Sequence, residues 1–380
     1  QVGKTTLARE FLPKAGYVTL DIPAQGERAR LNPAELLANQ PQPLILDEVQ
    51  YAPNLFRELK IRVDLERTSG RYLLTGSQSF ELMAGISESL AGRAALLTLP
   101  GLTLREVPGT ADLDLTDRFL WRGAYPQLWQ QPNLDRELWL GSYVATYLER
   151  DVRNVLAVGS LRDFDRFLRA CALRAGQILS YSELARDVGI APNTARSWIS
   201  VLEASQQIFL LEPYHRARTK RLVKSPKLYF YDTGMLTYLM GFLQSSELPR
   251  HALWGAVWEN LVVSEVRKSF LVRGLRPPLW FWRTSSGDEI DVLIELAPER
   301  FIAIECKTAA QVDQSVIRGL KPLRHEYGER AVDKAFVVCR TDRAYPLANG
   351  AVIEAVPLGG RDGLLSRKEL AGNQPTAPAA

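Results

Sequence analysis

The stretch PLILDEVQ, at 43–50, constrains the fold of this chain more than any other. Leu44, Ile45 and Leu46 form an apolar run without alternation, the mark of a strand buried on both faces. Such strands belong to parallel sheets covered by helices. Two acids, Asp47 and Glu48, close the run. Strand-like runs recur at 17–22 (YVTLDI), 71–77 (RYLLTGS) and 94–99 (AALLTL). Helix-length segments separate them, which predicts an α/β fold built on a parallel sheet.

The start of the chain, QVGKTTLARE, gives the two acids a meaning. The phosphate-cradling pattern G-x-x-x-x-G-K-[ST] ends as this stretch begins: Gly3, Lys4 and Thr5 fill its last three places. In such a loop, backbone N–H groups at a helix N-terminus point at phosphates. Lys4 would reach the β- and γ-phosphates of ATP. Thr5 would ligate Mg²⁺, and Thr6 would stand beside it. Asp47, at the carboxyl end of its strand, would hold the same Mg²⁺, while Glu48 would polarise the attacking water. The alternative is that the acids only cap the helix expected at 54–66. Thr75 and Ser77 sit where a γ-phosphate sensor would stand. Arg93 reads equally as an arginine finger, acting in cis or from a neighbouring subunit, and as a structural ion pair. TTLAREFL reads as the following helix, with Leu7, Ala8 and Phe11 inward. The first glycine of the pattern, and the strand leading to it, would precede Gln1. The P-loop NTPase sheet is therefore expected to lack its first strand by truncation, to bind ATP poorly and to be of low stability.

At 380 residues the chain suits two or three domains. No apolar run approaches bilayer length and no signal-peptide pattern is present, so no membrane association is expected. Cys171, Cys306 and Cys339 are odd in number and match neither a zinc pattern nor a disulfide framework. A reducing cytoplasm follows as the expected location. The formal charge of +4 is too mild to decide for or against nucleic acid.

Residues 101–175 read as mainly helical, with an amphipathic helix in WLGSYVATYLERDVRNVLAV carrying Tyr143, Val144 and Tyr147 near one face. SYSELARDVGIAPNTARSWISVLEAS is more specific. Ser182 can cap a first helix, Gly189 supplies a turn, and a second helix carries Ala195, Trp198 or Ile199, and Leu202 at core spacing. That is a helix-turn-helix, with Asn193, Thr194, Arg196 and Ser197 outward. Two strand-like runs follow, IFLLEPY and PKLYFYD. Between them Arg216, Arg218, Lys220, Arg221 and Lys224 crowd a short hairpin. A basic wing suits DNA phosphates. It equally suits a lid, a protein dock or a solvated surface.

The last third places Glu259 on a helix, Asp291 on a strand after a turn at 285–287, and Glu305 with Lys307 on the next strand. On that strand Phe301, Ala303, Glu305 and Lys307 share one face, and Ile302, Ile304 and Cys306 the other. Ile290, Val292 and Ile294 are expected together on one side of the strand before it. Carboxylates and a lysine at one spot can hold Mg²⁺ or Mn²⁺ and activate water on a phosphodiester. They can also be a structural ion-pair set. VDKAFVVCR, at 332–340, reads as the next core strand, and the tail from 359 as disordered.

Taken together, GKTT, LILDEVQ, LLTGSQ and SLAGRAALLTL resemble the bacterial and archaeal AAA-type ATPases that carry a C-terminal domain of unknown function. The resemblance runs from Gln1 to about residue 358. It implies an ATPase core (1–110), a helical linker or lid (111–175), a winged helix (176–240), a nuclease-like α/β domain (250–358) and a tail (359–380). The D…(E)xK arrangement is similar to the PD-(D/E)xK nuclease superfamily. Carried over, Asp291 and Glu305 would ligate a metal, Lys307 would orient or deprotonate water, and Glu259 would add a carboxylate. Three functions follow as expectations: an ATP-driven switch tied to DNA or a partner protein or a second copy of the chain, an ATP-gated metal-dependent DNA nuclease, and a non-enzymatic docking module.

Overall fold

The computed structural model describes residues 2–76, 89–110, 112–148, 161–214, 225–347 and 353–371. The chain forms two compact units, Gln1–Leu99 and Pro100–Ala380. Ser77 and the basic residues Arg216, Arg218, Lys220, Arg221 and Lys224 lie outside the described residues.

In the first unit, helix α1 (Lys4–Phe11) precedes strand β1 (Gly16–Thr19), helices α2 (Pro23–Leu31) and α3 (Pro33–Ala38), strand β2 (Leu44–Asp47), helix α4 (Leu55–Glu66) and strand β3 (Tyr72–Leu74). The strands form a parallel sheet in the order β1-β2-β3. β2 is buried at every position, as its unbroken apolar run demands. Leu44 and Leu46 pack with Val18, Leu20, Leu36, Phe56 and Leu59 into one core.

Two expectations fail in this unit. Of the three residues placed inward on α1, only Ala8 is buried; Leu7 and Phe11 are 51% and 75% exposed. A sheet of three described strands is too narrow to cover both flanks of the helix. The run at 94–99 is not a strand, and Leu96 and Leu97 are exposed. Apolar composition alone does not make a strand; it needs a neighbour to complete the ladder, and none is present among the described residues.

The second unit opens with α5 (Leu113–Arg122), α6 (Pro126–Gln130) and α7 (Arg136–Tyr143). α7 runs on into a π-helical turn, Val144–Leu148, so the long amphipathic helix changes its hydrogen bonding after Tyr143. Next come α8 (Leu161–Ala172), α9 (Tyr181–Val188) and α10 (Pro192–Ala204), then an antiparallel pair, β4 (Ile208–Leu211) and β5 (Lys227–Phe230). α9 and α10 meet at Gly189, whose φ of 83° lies where a side chain is strained. The cap of α9 is Ser180, whose hydroxyl accepts from the Glu183 N–H, and not Ser182. Ala195, Trp198, Ile199 and Leu202 are buried, and Asn193, Arg196 and Ser197 are exposed, with Thr194 half-buried.

The chain continues through α11 (Thr233–Leu239) and α12 (Trp254–Leu271) into a mixed sheet. Its strands are β6 (Leu279–Arg283), β7 (Glu289–Ala297), β8 (Arg300–Cys306), β9 (Val332–Val338), β10 (Tyr345–Pro346) and β11 (Ile353–Val356), with α13 (Leu320–Tyr327) between β8 and β9. The spatial order is β10-β11-β9-β8-β7-β6. Helices, hairpin and one sheet face share a single core that includes Phe164, Trp198, Tyr229, Trp258, Val292 and Ile302. The segments read as separate linker, helix-turn-helix and α/β domains are therefore joined by continuous packing. The segment from Leu102 also belongs here: Leu104 and Val107 enter this core. So do Leu364, Leu365 and Leu370, which order the first half of the expected tail through 371 because apolar side chains there find a place to bury.

β7 departs from strict alternation. Its pairing steps from Trp282↔Ile290 to Trp280↔Leu293, so β7 carries one residue more than β6 over that interval. This bulge puts Ile290 with Leu293 in a second core on the far side of the sheet, while Val292 and Ile294 join the main core.

α12 is buried nearly all round, and its polar residues each find a partner. Asn260 accepts from the Phe230 N–H and donates to the Phe230 carbonyl, both at 2.8 Å, pinning β5. Glu265 and Lys268, each 1% exposed, pair at 2.9 Å. Glu265 also accepts from the Leu104 N–H at 2.7 Å, and Lys268 donates to the Leu102 carbonyl at 3.0 Å. Removing one partner of a buried pair strands the other charge. Lys268→Met is therefore expected to destabilise this unit by about 3–5 kcal/mol. Glu265→Gln/Lys268→Met should recover most of that loss in urea unfolding; a single variant that unfolds like the parent would show the pair to be dispensable.

Candidate functional site

The first site is built where α1 meets the end of β2. Gly3 caps α1 with φ 89°, a conformation natural to glycine, and Lys4 and Thr5 open the helix. The Thr5 hydroxyl lies 3.0 Å from both carboxylate oxygens of Asp47, and Asp47 is 4% exposed. The motif threonine and the strand acid, 42 residues apart in sequence, thus meet. Two further hydroxyls converge on the same carboxylate. Tyr17, on β1, donates at 2.8 Å, and Thr75, just past β3, bonds to the other oxygen. Burial, then the bond to Asp47, raises the Tyr17 phenol above its usual pKa. A cleft of about 660 Å³ runs beside this point, lined by Thr5, Thr6, Arg9, Tyr17 and Ile45 among others.

Glu48 holds a left-handed backbone, φ 58°, and its carboxylate accepts from the Gln50 side chain. A non-glycine residue there costs about 1–3 kcal/mol, a strain that collects at functional sites. Neither acid caps α4, which begins after Asn54 without a side-chain cap; Glu48 precedes a 3-10 turn, Val49–Tyr51, without making a side-chain cap bond. Arg93 makes a two-pronged pair with Asp64 of α4, at 2.6 and 2.9 Å, and its hydrogen bond holds Asp64 below the usual carboxylate range. That is the ion-pair alternative, and a finger role would require the pair to open.

Three hydroxyls around one buried carboxylate suit a hard cation, and Lys4 stands next to Thr5 at the start of α1. A divalent ion prefers oxygen ligands, and Thr5 and Asp47 are the residues that would hold Mg²⁺. Tyr17 was not legible as a member of this site. The only signal was its place two residues before Thr19 at the end of a parallel strand.

The second site lies on β7, β8 and α12. The register Val292↔Ile304 sets Asp291 across from Glu305. Asp291 accepts from the Cys306 N–H at 2.8 Å, and Lys307 donates to Glu305 at 3.1 Å. Glu305 is 6% exposed, and its second oxygen, Oε1, is buried with no hydrogen-bond partner. Burial and the facing Asp291 push the Glu305 carboxyl up to about 9. Despite burial, Glu305 and Asp291 keep the Lys307 ammonium raised.

Glu259 does not join this pair. It accepts from Lys227 at 3.0 Å and from the Tyr229 hydroxyl at 2.6 Å, both on β5. Burial and Asp291 push its carboxyl up to about 7. Among the described residues, no group of three or more His, Cys, Asp and Glu is placed to hold a metal. Asp291 and Glu305 stand as two facing buried carboxylates, with one Glu305 oxygen left without a hydrogen-bond partner. Lys227 and Tyr229 were missed in sequence. The signal was present: a lysine and a tyrosine two apart, on one face of an otherwise apolar strand.

Comparison with known proteins gives three domain matches along the chain. Residues 1–108 match the family model of an AAA domain. Residues 113–246 and 254–359 match two domains of unknown function, DUF8612 and DUF4143. The N-terminal unit is thus of the AAA type, a nucleotide-binding, ATPase-like class, and two domains of unknown function follow it. Uncharacterized proteins of Mycobacterium tuberculosis and Mycobacterium bovis are each 35% identical over 300 residues, which is 78% of this chain and 66% of theirs. The chain therefore spans just under two thirds of these relatives. No solved structure gives a significant match. No helix among the described residues is long and apolar enough to cross a membrane.

A hydrogen bond to a charged group contributes about 1.5–3 kcal/mol. Tyr17→Phe is expected to lower the stability of the first unit by that amount in chemical denaturation. Unchanged stability would mean that the Tyr17–Asp47 bond does not hold the strand ends together.

Proposed function

We propose that this protein is a Mg²⁺-dependent ATPase whose nucleotide site drives the domains that follow. The observation that carries this reading is the Thr5 hydroxyl at 3.0 Å from both oxygens of Asp47. In this reading Lys4 and the N–H groups opening α1 bind the β- and γ-phosphates. Asp47 is held in place by Tyr17 and Thr75, so its oxygens are aimed before ligand arrives. Glu48, at the strand end, orients the attacking water. Mg²⁺, when bound, supplies charge neutralisation on the phosphate oxygens.

The test is ATP turnover by this chain and its variants. Lys4→Ala and Asp47→Asn are expected to lower turnover at least about a hundredfold, in line with loss of a main transition-state contact. Rates equal to the parent in both variants would remove the ATPase reading.

The driven part is read as a winged helix and a PD-(D/E)xK nuclease-like domain. Support for the winged helix is the order α8-α9-α10-β4-β5, with Asn193, Arg196 and Ser197 exposed at the start of α10. A DNA groove is the natural partner for such a helix, and salt-sensitive retention on DNA separates it from a protein-docking role. Support for the nuclease-like reading is the Asp291–Glu305–Lys307 cluster with its orphaned Oε1. There Asp291 and Glu305 would hold Mg²⁺ or Mn²⁺ and Lys307 would orient water against a phosphodiester.

Incubation of the chain with Mn²⁺ and supercoiled plasmid should give nicked product, and Asp291→Asn should abolish it. Cleavage that persists in Asp291→Asn, or no cleavage by the parent, would leave the cluster a structural one.

A further inference from the structure

The second site contains a cation of its own that neither the nuclease-like reading nor the nucleotide site uses. Lys227 is 3% exposed on β5. Its ammonium lies 3.0 Å from Glu259 and also pairs with Glu289. It stands 5.7 Å from the centre of the Phe281 ring. Asp291 adds to the negative field around it. The groups facing this spot are therefore Glu259 from α12, Glu289 and Asp291 from β7, and Tyr229 from β5. Arg283, on β6, takes the other oxygen of Glu289 at 3.2 Å.

Two facts make this more than a buried ion pair. First, the acids beside Lys227 are incompletely partnered. Asp291 and Glu305 face one another with an orphaned buried oxygen, while the third carboxylate in range of Asp291 is turned to Lys227 and Tyr229. Second, Lys227 has a spare partner. Were Glu259 to turn away, Glu289 would still neutralise the ammonium, so neither charge would be stranded. Glu259 thus has two destinations, and each is provided with an opposite charge.

We propose that Lys227 is a resident counter-ion of this site, and that a divalent cation completes its coordination by drawing Glu259 away from Lys227. The inference rests on the nuclease-like reading, because it takes Asp291 and Glu305 as cation ligands. It adds a link which that reading lacks. Lys227 is carried by the hairpin that follows α10, so occupancy of the cation site and the seating of that hairpin bias one another. A ligand that lifts β5 would free Glu259, and a bound cation would loosen β5, as linkage requires.

The test is Mn²⁺ binding by the full chain without nucleotide, followed through the signal of free Mn²⁺ in electron paramagnetic resonance. Asp291→Asn defines the sites that belong elsewhere in the molecule, and these are subtracted. Lys227→Met is expected to lower the Kd of the Asp291-dependent site by about fivefold or more, the low end of ordinary coupling between sites. Lys227→Met/Glu259→Gln should lose that gain. Lys227→Gln keeps a donor for Glu259 without the charge. It carries the same expectation if Lys227→Met does not fold. An Asp291-dependent site whose affinity is unchanged or weaker in the Lys227 variants would make Lys227 a plain structural pair and overturn the inference alone. A gain that survives Glu259→Gln would overturn the hand-over of Glu259. The lack of any Asp291-dependent Mn²⁺ site in parent and Lys227 variants alike would overturn the cation reading on which the inference rests.

Discussion

Charge held inside α12 is the constraint around which the larger unit is arranged. A helix so deeply packed would ordinarily be apolar on every side. This one carries Glu259, Asn260, Glu265 and Lys268, and a buried polar group without a partner costs more than most single contacts contribute. Each neighbour therefore supplies a specific partner at a specific place. β5 gives Lys227, Tyr229 and the backbone of Phe230. The segment entering from the first unit gives the Leu104 N–H and the Leu102 carbonyl. Apolar packing would tolerate a slip by one residue; these bonds would not. That is why helices, hairpin and sheet form one body and not three.

The smaller unit solves a different problem with the same chemistry. A carboxylate at the end of a buried strand must be aimed, and its oxygens must find partners. Asp47 is surrounded by hydroxyls from Thr5, Tyr17 and Thr75, which give both of its oxygens partners. The three come from α1, β1 and the end of β3. The site's geometry is therefore a direct product of parallel strand order. The second site is arranged in the opposite way. There the acids face one another, lysines supply the counter-charge, and one oxygen is left without a partner.

Much of this was legible from residue pattern. The unbroken run Leu44–Asp47 gave a buried parallel strand, GKT gave a helix start, and the spacing of Ala195, Trp198, Ile199 and Leu202 gave the buried face of α10. Patterns that depend on the element alone read well. What did not read were properties set by neighbours. Leu7 and Phe11 looked inward because helical spacing cannot tell how wide a sheet is. The run at 94–99 looked like a strand because composition cannot tell whether an edge is available to it. Lys227 and Tyr229 were passed over because their meaning lies in Glu259, on an element about thirty residues on. The polar end of the tail reads as disordered, but Leu364, Leu365 and Leu370 hold its first part in the core.

The bulge in β7 carries a consequence for how this sheet can change. An extra residue between the pairs at 282 and 280 lets the strand present an acid and then two apolar side chains to opposite layers without breaking either. Deleting a single residue there would restore a regular ladder and a tidier sheet. With Trp280↔Leu293 kept, Val292 and Ile294 would stay in the main layer, but the extra position that carries the acid at 291 would be lost. The irregularity is what allows a charged position to exist at the heart of a hydrophobic sandwich, so the sheet can vary in sequence far more easily than in length at this one point.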